Sequence, residues 1–219
     1  MDILNFISWL KSGRYSATVP ANAVTVVGVP TNRRDDSYLP VTVPVSALGS
    51  GGFTHYIGEL FGGGIIVQVW KDSLGVEHGL VASLTDLTAN LPWTVPAQQA
   101  NLIGITAQSY SDGLTNTNAI ILQTGSAATT AYAAGIARLY LGGGFNDWYL
   151  PASWELNACY NSANIVNKIL GTINGFANDY YWSSTEGNSA NAWLQGFDYG
   201  YQNYGNKNYG TNVRAVRTF

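Results

Sequence analysis

The stretch from Trp182 to Phe219 sets the tightest limit on what this chain can become. It reads as a run of short aromatic strands broken by glycine turns. Between Gly187 and Asn212, 26 positions hold six Asn, four Tyr and five Gly. Tyrosine supplies large, fairly rigid amphipathic contact area at small entropy cost, while Asn, Ser and Gly supply adaptable hydrogen bonding. Antibody paratopes use the same vocabulary for the same reason. The stretch is therefore expected to be a binding surface on a rigid scaffold, not a catalytic site. The competing reading is a solvated aromatic loop region without a ligand, or a low-complexity segment prone to association. Trp182, Trp193 and the closing strand over 213–216 argue for a folded context. In the strand-like piece 197–201, odd positions share one face. That puts Phe197 in the core and leaves the turns beyond it to present Tyr204 and Tyr209.

Upstream, the order of elements is strands, then helices, then strands, which predicts an α+β fold. Gly62-Gly63-Gly64 leads into the apolar run 65–70, and a turn over 71–75 connects it to 79–83, the pattern of a β-hairpin with a longer loop. The triple glycine lacks the following Lys-Ser/Thr of a phosphate loop. Helices are predicted over 116–124, 127–141 and 153–170. Asn116, Ser126 and Ser153 are their N-caps, and Gly171 is the C-terminal stop of the third. Leu48-Gly49-Ser50-Gly51-Gly52 reads as a flexible linker, dividing a segment 1–50 from a domain 53–219. In the first segment Ile3, Phe6, Ile7 and Leu10 share one helical face, with Asp2 as the cap. An isolated short helix is marginal in water, so this face needs a partner in its own domain or in another chain. The β-branched runs 24–27 and 41–43, bounded by proline, read as short edge strands. Residues 32–36 form a charged turn.

Charged residues make up only 11% of the chain against 46% hydrophobic, so uncharged polar groups and glycine must carry solubility. The net charge of −3 offers no basic patch for nucleic acid. The opening 2–10 is apolar, but it lacks a basic leader region and is too short to span a bilayer. No membrane insertion is expected, and an extracellular role would require another way out, such as release with a virus particle.

From Asp147 onward the motifs follow a specific order. Asp147-Trp148-Tyr149-Leu150-Pro151 precedes a helix containing Glu155-Leu156. Then come 181–186 (Tyr-Trp-Ser-Ser-Thr-Glu), Asn191-Ala192-Trp193, Phe197 and Val213-Arg214-Ala215-Val216-Arg217. This series resembles bacterial and phage domains of the C-type lectin fold, in the branch related to formylglycine-generating enzymes. Residues 56–66 are similar to the opening strand region of such domains. The resemblance implies two helices flanking short mixed and antiparallel sheets. The Asn/Tyr/Gly bias of 187–212 resembles the variable region of proteins diversified by retroelements, which rewrite adenines in asparagine codons. That implies a variable ligand-binding protein, at a phage tail tip or a cell surface, in which Asn188, Ser189, Asn191, Asp198, Tyr199, Tyr201, Gln202, Asn203, Tyr204, Asn206, Asn208 and Tyr209 read the ligand. Trp182, Ser183, Ser184, Trp193, Phe197, Val213, Arg214 and Val216 would be frame. The implied partner is a bacterial surface protein or glycan. Segment 1–50 would join the chain to tail proteins or to sister subunits, in a trimer by analogy.

The enzymatic relatives need a reactive cysteine pair, and this chain has one cysteine, Cys159, on an apolar helical pattern that suits a small core residue. His55 and His78 are accompanied by no Gly-x-Ser-x-Gly elbow. Asp147 and Glu155 suit capping or buried hydrogen bonding beside the third helix, and Glu186 suits pairing with Arg214 or Arg217. The Glu-Pro-Asn, Gln-Pro-Asp and Trp-Asn-Asp triplets of calcium-dependent lectins are absent, and 187–212 holds a single acid, Asp198. Neither a metal nor a cofactor is expected.

Overall fold

The computed structural model describes the backbone of residues 23–27 and 40–44, and residues 52–125 and 127–219. The chain divides into two compact units, Met1–Gly52 and Phe53–Phe219. In the first, β1 (Ala23–Val27) pairs antiparallel with β2 (Pro40–Pro44), with Val24 opposite Val43 and Thr25 opposite Thr42. The expected helix with Asp2, Ile3, Phe6, Ile7 and Leu10, the turn 32–36, the linker residues 48–51 and the cap at Ser126 lie outside the described residues.

The second unit is α+β, with two sheets and three α-helices among the described residues. One sheet contains β3 (Leu60–Phe61), β4 (Gly64–Lys71), β5 (Glu77–Ala82) and β11 (Val216–Thr218), in the order β11-β5-β4-β3. The other contains β6 (Thr88–Leu91), β7 (Tyr180–Glu186), β8 (Asn191–Gly196), β9 (Gln202–Asn206) and β10 (Thr211–Val213), in the order β6-β10-β7-β8-β9. All pairings are antiparallel except β10 with β7. The helices are α1 (Gly113–Gln123), α2 (Ala133–Leu139) and α3 (Ser153–Asn174).

Strand periodicity explains how one strand feeds two cores. Consecutive residues of β4 point to opposite faces. Ile66 joins a cluster with Trp93, Ile120, Tyr132, Trp148, Trp182 and Val213. Ile65 joins a second, with Leu156, Cys159, Val166, Phe176, Tyr181 and Phe197. A strand buried on both faces reads as continuous apolar sequence, which is why 65–67 shows no alternation; beyond it Gln68 and Trp70 are exposed and Val69 is half-buried. The three large indoles of the first core also satisfy their N–H groups: Trp93 donates to Ser183 O (2.8 Å), Trp148 to Gly142 O (3.1 Å) and Trp182 to Leu91 O (3.0 Å). The glycine runs allow a close approach. A methyl group on Gly63 (φ 80°) would collide with the backbone of Gly142 and Gly143, so two turns meet where a side chain has no room.

Several helix boundaries differ from expectation. α1 is capped by Asp112, whose carboxylate accepts from Thr115 N (2.9 Å), not by Asn116. Asn116 is buried inside the helix, accepting from Ser109 N and donating to Ser109 O. The expected helix 127–141 shrinks to 133–139, because Tyr132 is extended (φ −152°, ψ 160°) and fully buried. Burying that ring outweighs continuing the helix backward. α3 is capped at Ala152 instead of Ser153: Glu155 reaches back to accept from Ala152 N (2.7 Å), while Ser153 N donates to Thr185 Oγ1 (3.0 Å). Gly171 does break α3, with φ 77° and ψ 173°, before a last turn closes at Gly175. The three α-helices follow the three read from the residue pattern and exceed the two that the resemblance implied.

Candidate functional site

The tail is held from outside itself. Lys207 is completely buried. Its ammonium donates to Glu186 Oε1 (2.7 Å) and Asn101 O (2.9 Å), and it lies 4.8 Å from the centroid of the Trp93 ring. Burial pushes the Lys207 ammonium down, and the Glu186 carboxylate opposes that shift. Glu186 also accepts from Ile103 N (2.9 Å) and Gly104 N (2.7 Å). The backbone of Lys207 receives Trp93 N and donates to Ala190 O. The expectation that Glu186 would pair with an arginine is therefore corrected. Arg217 forks onto Asp147 (2.7 and 2.8 Å) over the Phe145 ring, and holds that carboxyl below its ordinary range. Arg214 is buried over Phe176, donates to Asn174 O and lies 3.2 Å from Asp86.

On this frame β9 is the last strand of its sheet, paired only with β8. Tyr180, Leu194, Tyr201, Asn203, Tyr204, Gly205, Tyr209, Gly210 and Thr211 line an open concavity of about 500 Å³. Its floor is Gly205. A methyl group there would meet Leu194 Cδ2 and the Trp182 ring. Its rim is phenolic: the Tyr180 and Tyr201 hydroxyls contact each other, and Tyr199 stacks on Tyr201 at 6.5 Å. Of the twelve expected reader residues, Tyr201, Asn203, Tyr204 and Tyr209 meet at this concavity.

The others lie elsewhere. Asn188 uses its side-chain oxygen to accept from Ala190 N, Asn191 N and Asn191 Nδ2, an Asx turn that shapes the β7–β8 hairpin. Ser189 is exposed beside it. Asn206 plays a similar part, accepting from Asn208 N at the turn after β9, which leaves Asn208 exposed. Asp198 accepts from Tyr199 N (2.8 Å). Gln202 turns away and donates to Ser153 O (2.6 Å), tying β9 to the start of α3.

Two frame expectations also change. Residues 197–201 form a turn, not a strand, with Gly200 at φ 78° and Gly200 N donating to Gly196 O. Phe197 is buried against Tyr181 (4.5 Å), while Tyr199 is 82% exposed, so odd positions do not share a face. Trp193 is half-buried, because β8 alternation sends Ala192 and Leu194 inward; its ring lies 4.3 Å from Tyr204. Residues missing from the sequence reading are Tyr180, Leu194, Gly205, Gly210 and Thr211 at the concavity, and Lys207 just after β9.

The polar groups away from the tail serve structure. Glu155 accepts from Ala152 N, Gly113 N (3.1 Å) and Tyr149 Oη (2.8 Å), and burial raises its carboxyl to about 7. Burial pushes the Cys159 thiol up to about 12, which suits a core residue and not a nucleophile. His55 sits against Phe61 and Phe219 and 3.0 Å from Glu59, and His78 stacks on Trp70. Among the described residues no three His, Cys, Asp or Glu side chains converge to hold a metal ion. Among those residues no helix is long and apolar enough to cross a membrane.

Fold and site together define an α+β domain that presents a tyrosine- and asparagine-rich surface on buried anchors. The chain belongs to the Lcl C-terminal domain family, which it matches over residues 82–217. Among solved structures it is similar to a fimbrial protein from Bacteroides ovatus ATCC 8483, at 17% identity and a TM-score of 0.48. That match covers 70% of this chain, and this chain spans 43% of the fimbrial protein's length. No curated protein matches the chain.

Proposed function

We propose that this protein is a non-enzymatic ligand-binding protein of the C-type lectin type, with its reading surface on β8, β9 and the flanking turns. The observation that carries the proposal is the phenol-rimmed concavity at Tyr201, Asn203, Tyr204 and Tyr209, set on a backbone fixed by Lys207 and Trp182. Rigid aromatic contact area beside adaptable amides is the composition of a recognition surface. The biased make-up of 187–212 supports a retroelement-diversified receptor-binding protein of a phage tail, directed at bacterial surface molecules, with segment 1–50 as the attachment to the virion or to a trimer. Multiple copies on one particle would raise weak single contacts by avidity.

The test is capture of bacterial cells by the purified full chain. Combined Tyr199→Ala, Tyr201→Ala, Tyr204→Ala and Tyr209→Ala changes are expected to abolish capture while the protein stays folded. Unchanged capture would remove the proposal. A second reading, a bacterial surface or scaffold protein with a fixed ligand, is separated genetically. A neighbouring reverse-transcriptase gene and a second, adenine-differing copy of the last coding stretch favour the diversified form, and their absence favours the fixed binder.

A further inference from the structure

A second set of aromatic rings runs outward from Trp193 on β8 and shares Tyr204 with the concavity. Alternation along β8 places Trp193 opposite in facing to Leu194, which lines the concavity. From Trp193 the rings continue in both directions. Tyr204 packs at 4.3 Å on one side and Tyr110 at 6.0 Å on the other, with Trp154 stacked on Tyr110 at 5.8 Å and 27°. Trp154 is 64% exposed, Tyr204 50% and Tyr110 44%. The strip draws on four separate parts of the chain.

The strip is fixed in place. Trp154 N donates to Tyr110 O (2.9 Å), tying the main chain at these two neighbouring residues together at the first turn of α3. Ser109, just before Tyr110, accepts from both Thr185 Oγ1 (2.8 Å) and Asn116 Nδ2 (2.7 Å). Gln202 ties β9 to Ser153, one residue before Trp154. Rings held this way lose little freedom when a ligand arrives.

Two chemical observations point to the class of ligand. First, each of the buried indoles Trp93, Trp148 and Trp182 gives its N–H to a carbonyl. Among the described residues, the Trp154 and Trp193 indoles and the Tyr110 and Tyr204 hydroxyls have no hydrogen-bond partner. The strip therefore offers flat apolar faces with unused polar groups at their edges. Second, among the described residues no lysine or arginine lies over a ring of the strip, and Lys207, Arg214 and Arg217 are committed to Glu186, Asp86 and Asp147. A sulfated or carboxylated ligand finds no counter-charge over these rings among the described residues. A pyranose presents the complementary surface, an apolar C–H face attracted by the negative face of an aromatic ring and a rim of hydroxyls for N–H and O–H partners.

We infer that the Trp154–Tyr110–Trp193–Tyr204 strip is a binding site for a neutral carbohydrate; the Trp154, Tyr110 and Trp193 rings lie outside the concavity, and Tyr204 is common to both. This rests on the reading of the domain as a ligand-binding protein and assigns it a glycan rather than a protein ligand at this face.

The test titrates the full chain with neutral oligosaccharides of β-linked glucose, galactose, mannose and xylose, read by tryptophan fluorescence and calorimetry. At least one is expected to bind saturably. Trp154→Ala and Tyr110→Ala should each weaken it by about tenfold or more without moving the melting temperature, and Trp154→Phe should restore most of the affinity. No saturable binder, or binding that survives the Trp154→Ala/Tyr110→Ala double change, would overturn the inference. Cell capture separates the two readings. If periodate oxidation of the cell glycans leaves capture intact while Tyr209→Ala with Tyr201→Ala abolishes it, the ligand-binding proposal stands and the carbohydrate strip falls. If neither face matters, the ligand-binding proposal itself falls.

Discussion

Lys207 and Glu186 meet at 2.7 Å with both side chains wholly shielded from solvent, 21 residues apart in sequence. The pair fixes a turn in the most polar part of the chain to the end of a central strand. Removing one partner strands a buried charge, and that loss typically costs about 3–5 kcal/mol. Lys207→Met is thus expected to lower stability by about that amount in urea denaturation. Lys207→Met with Glu186→Gln should recover part of the loss, because the neutral amide oxygen still accepts from Ile103 N and Gly104 N.

Glu155 gives a pH signature. Burial raises its carboxyl in the folded chain from an ordinary 4.5 to about 7, so the folded state holds the proton longer than the unfolded state. Its contribution to stability is full below pH 4.5 and is lost as pH rises toward about 7. Glu155→Gln keeps an acceptor for Ala152 N and Gly113 N and cannot ionise. Denaturant midpoints measured from pH 4 to pH 8, about the span of that titration, should fall less steeply for the variant than for the parent. Asp86, also raised by burial, remains in both proteins and cancels in the difference.

Gly205 forms the floor of the concavity because Leu194 and Trp182 leave no room for a methyl group. Gly205→Ala should destabilise by about 1–3 kcal/mol, the usual effect of forcing extra volume into a packed site. Thermal unfolding measures it. Gly52, where a methyl group meets nothing, is the control.

Tyr199 is expected to separate binding from folding. It is 82% exposed, and among the described residues the ring paired with it is that of Tyr201, at 6.5 Å. Tyr199→Ala should change stability by less than about 0.5 kcal/mol and still weaken cell capture.

The division between frame and surface was partly legible in the sequence, and physics explains where it was not. Trp182, Val213 and Val216 could be placed in the core because they are large apolar residues in short β-rich runs, and burial dominates their placement. The α+β order and the hairpin of β4 and β5 followed from hydrophobic runs and turn residues. Lys207 defied the same rule: lysine is almost never fully buried unless paired, and its partner lies far away in sequence. Asn188 and Asn206 resembled readers because asparagine serves turns and ligands with the same amide. Trp154 carried a usable signal, since it falls off the buried stripe of Leu156, Cys159 and Val166 and must face outward from α3. What it stands beside required Tyr110 and Trp193 to be brought in by tertiary packing.

The topology of the last two strands bears on how the protein is made. β10 lies between β6 and β7, and β11 pairs with β5. The final residues from 211 onward therefore complete both sheets, and on the ribosome neither can close until that end has emerged. A nascent chain interrupted anywhere in 187–212 lacks an interior strand and has no means of displaying the surface before it. A change in 187–212 that shifts the frame or introduces a stop is thus expected to leave both sheets incomplete and to yield an unfolded product for proteolysis.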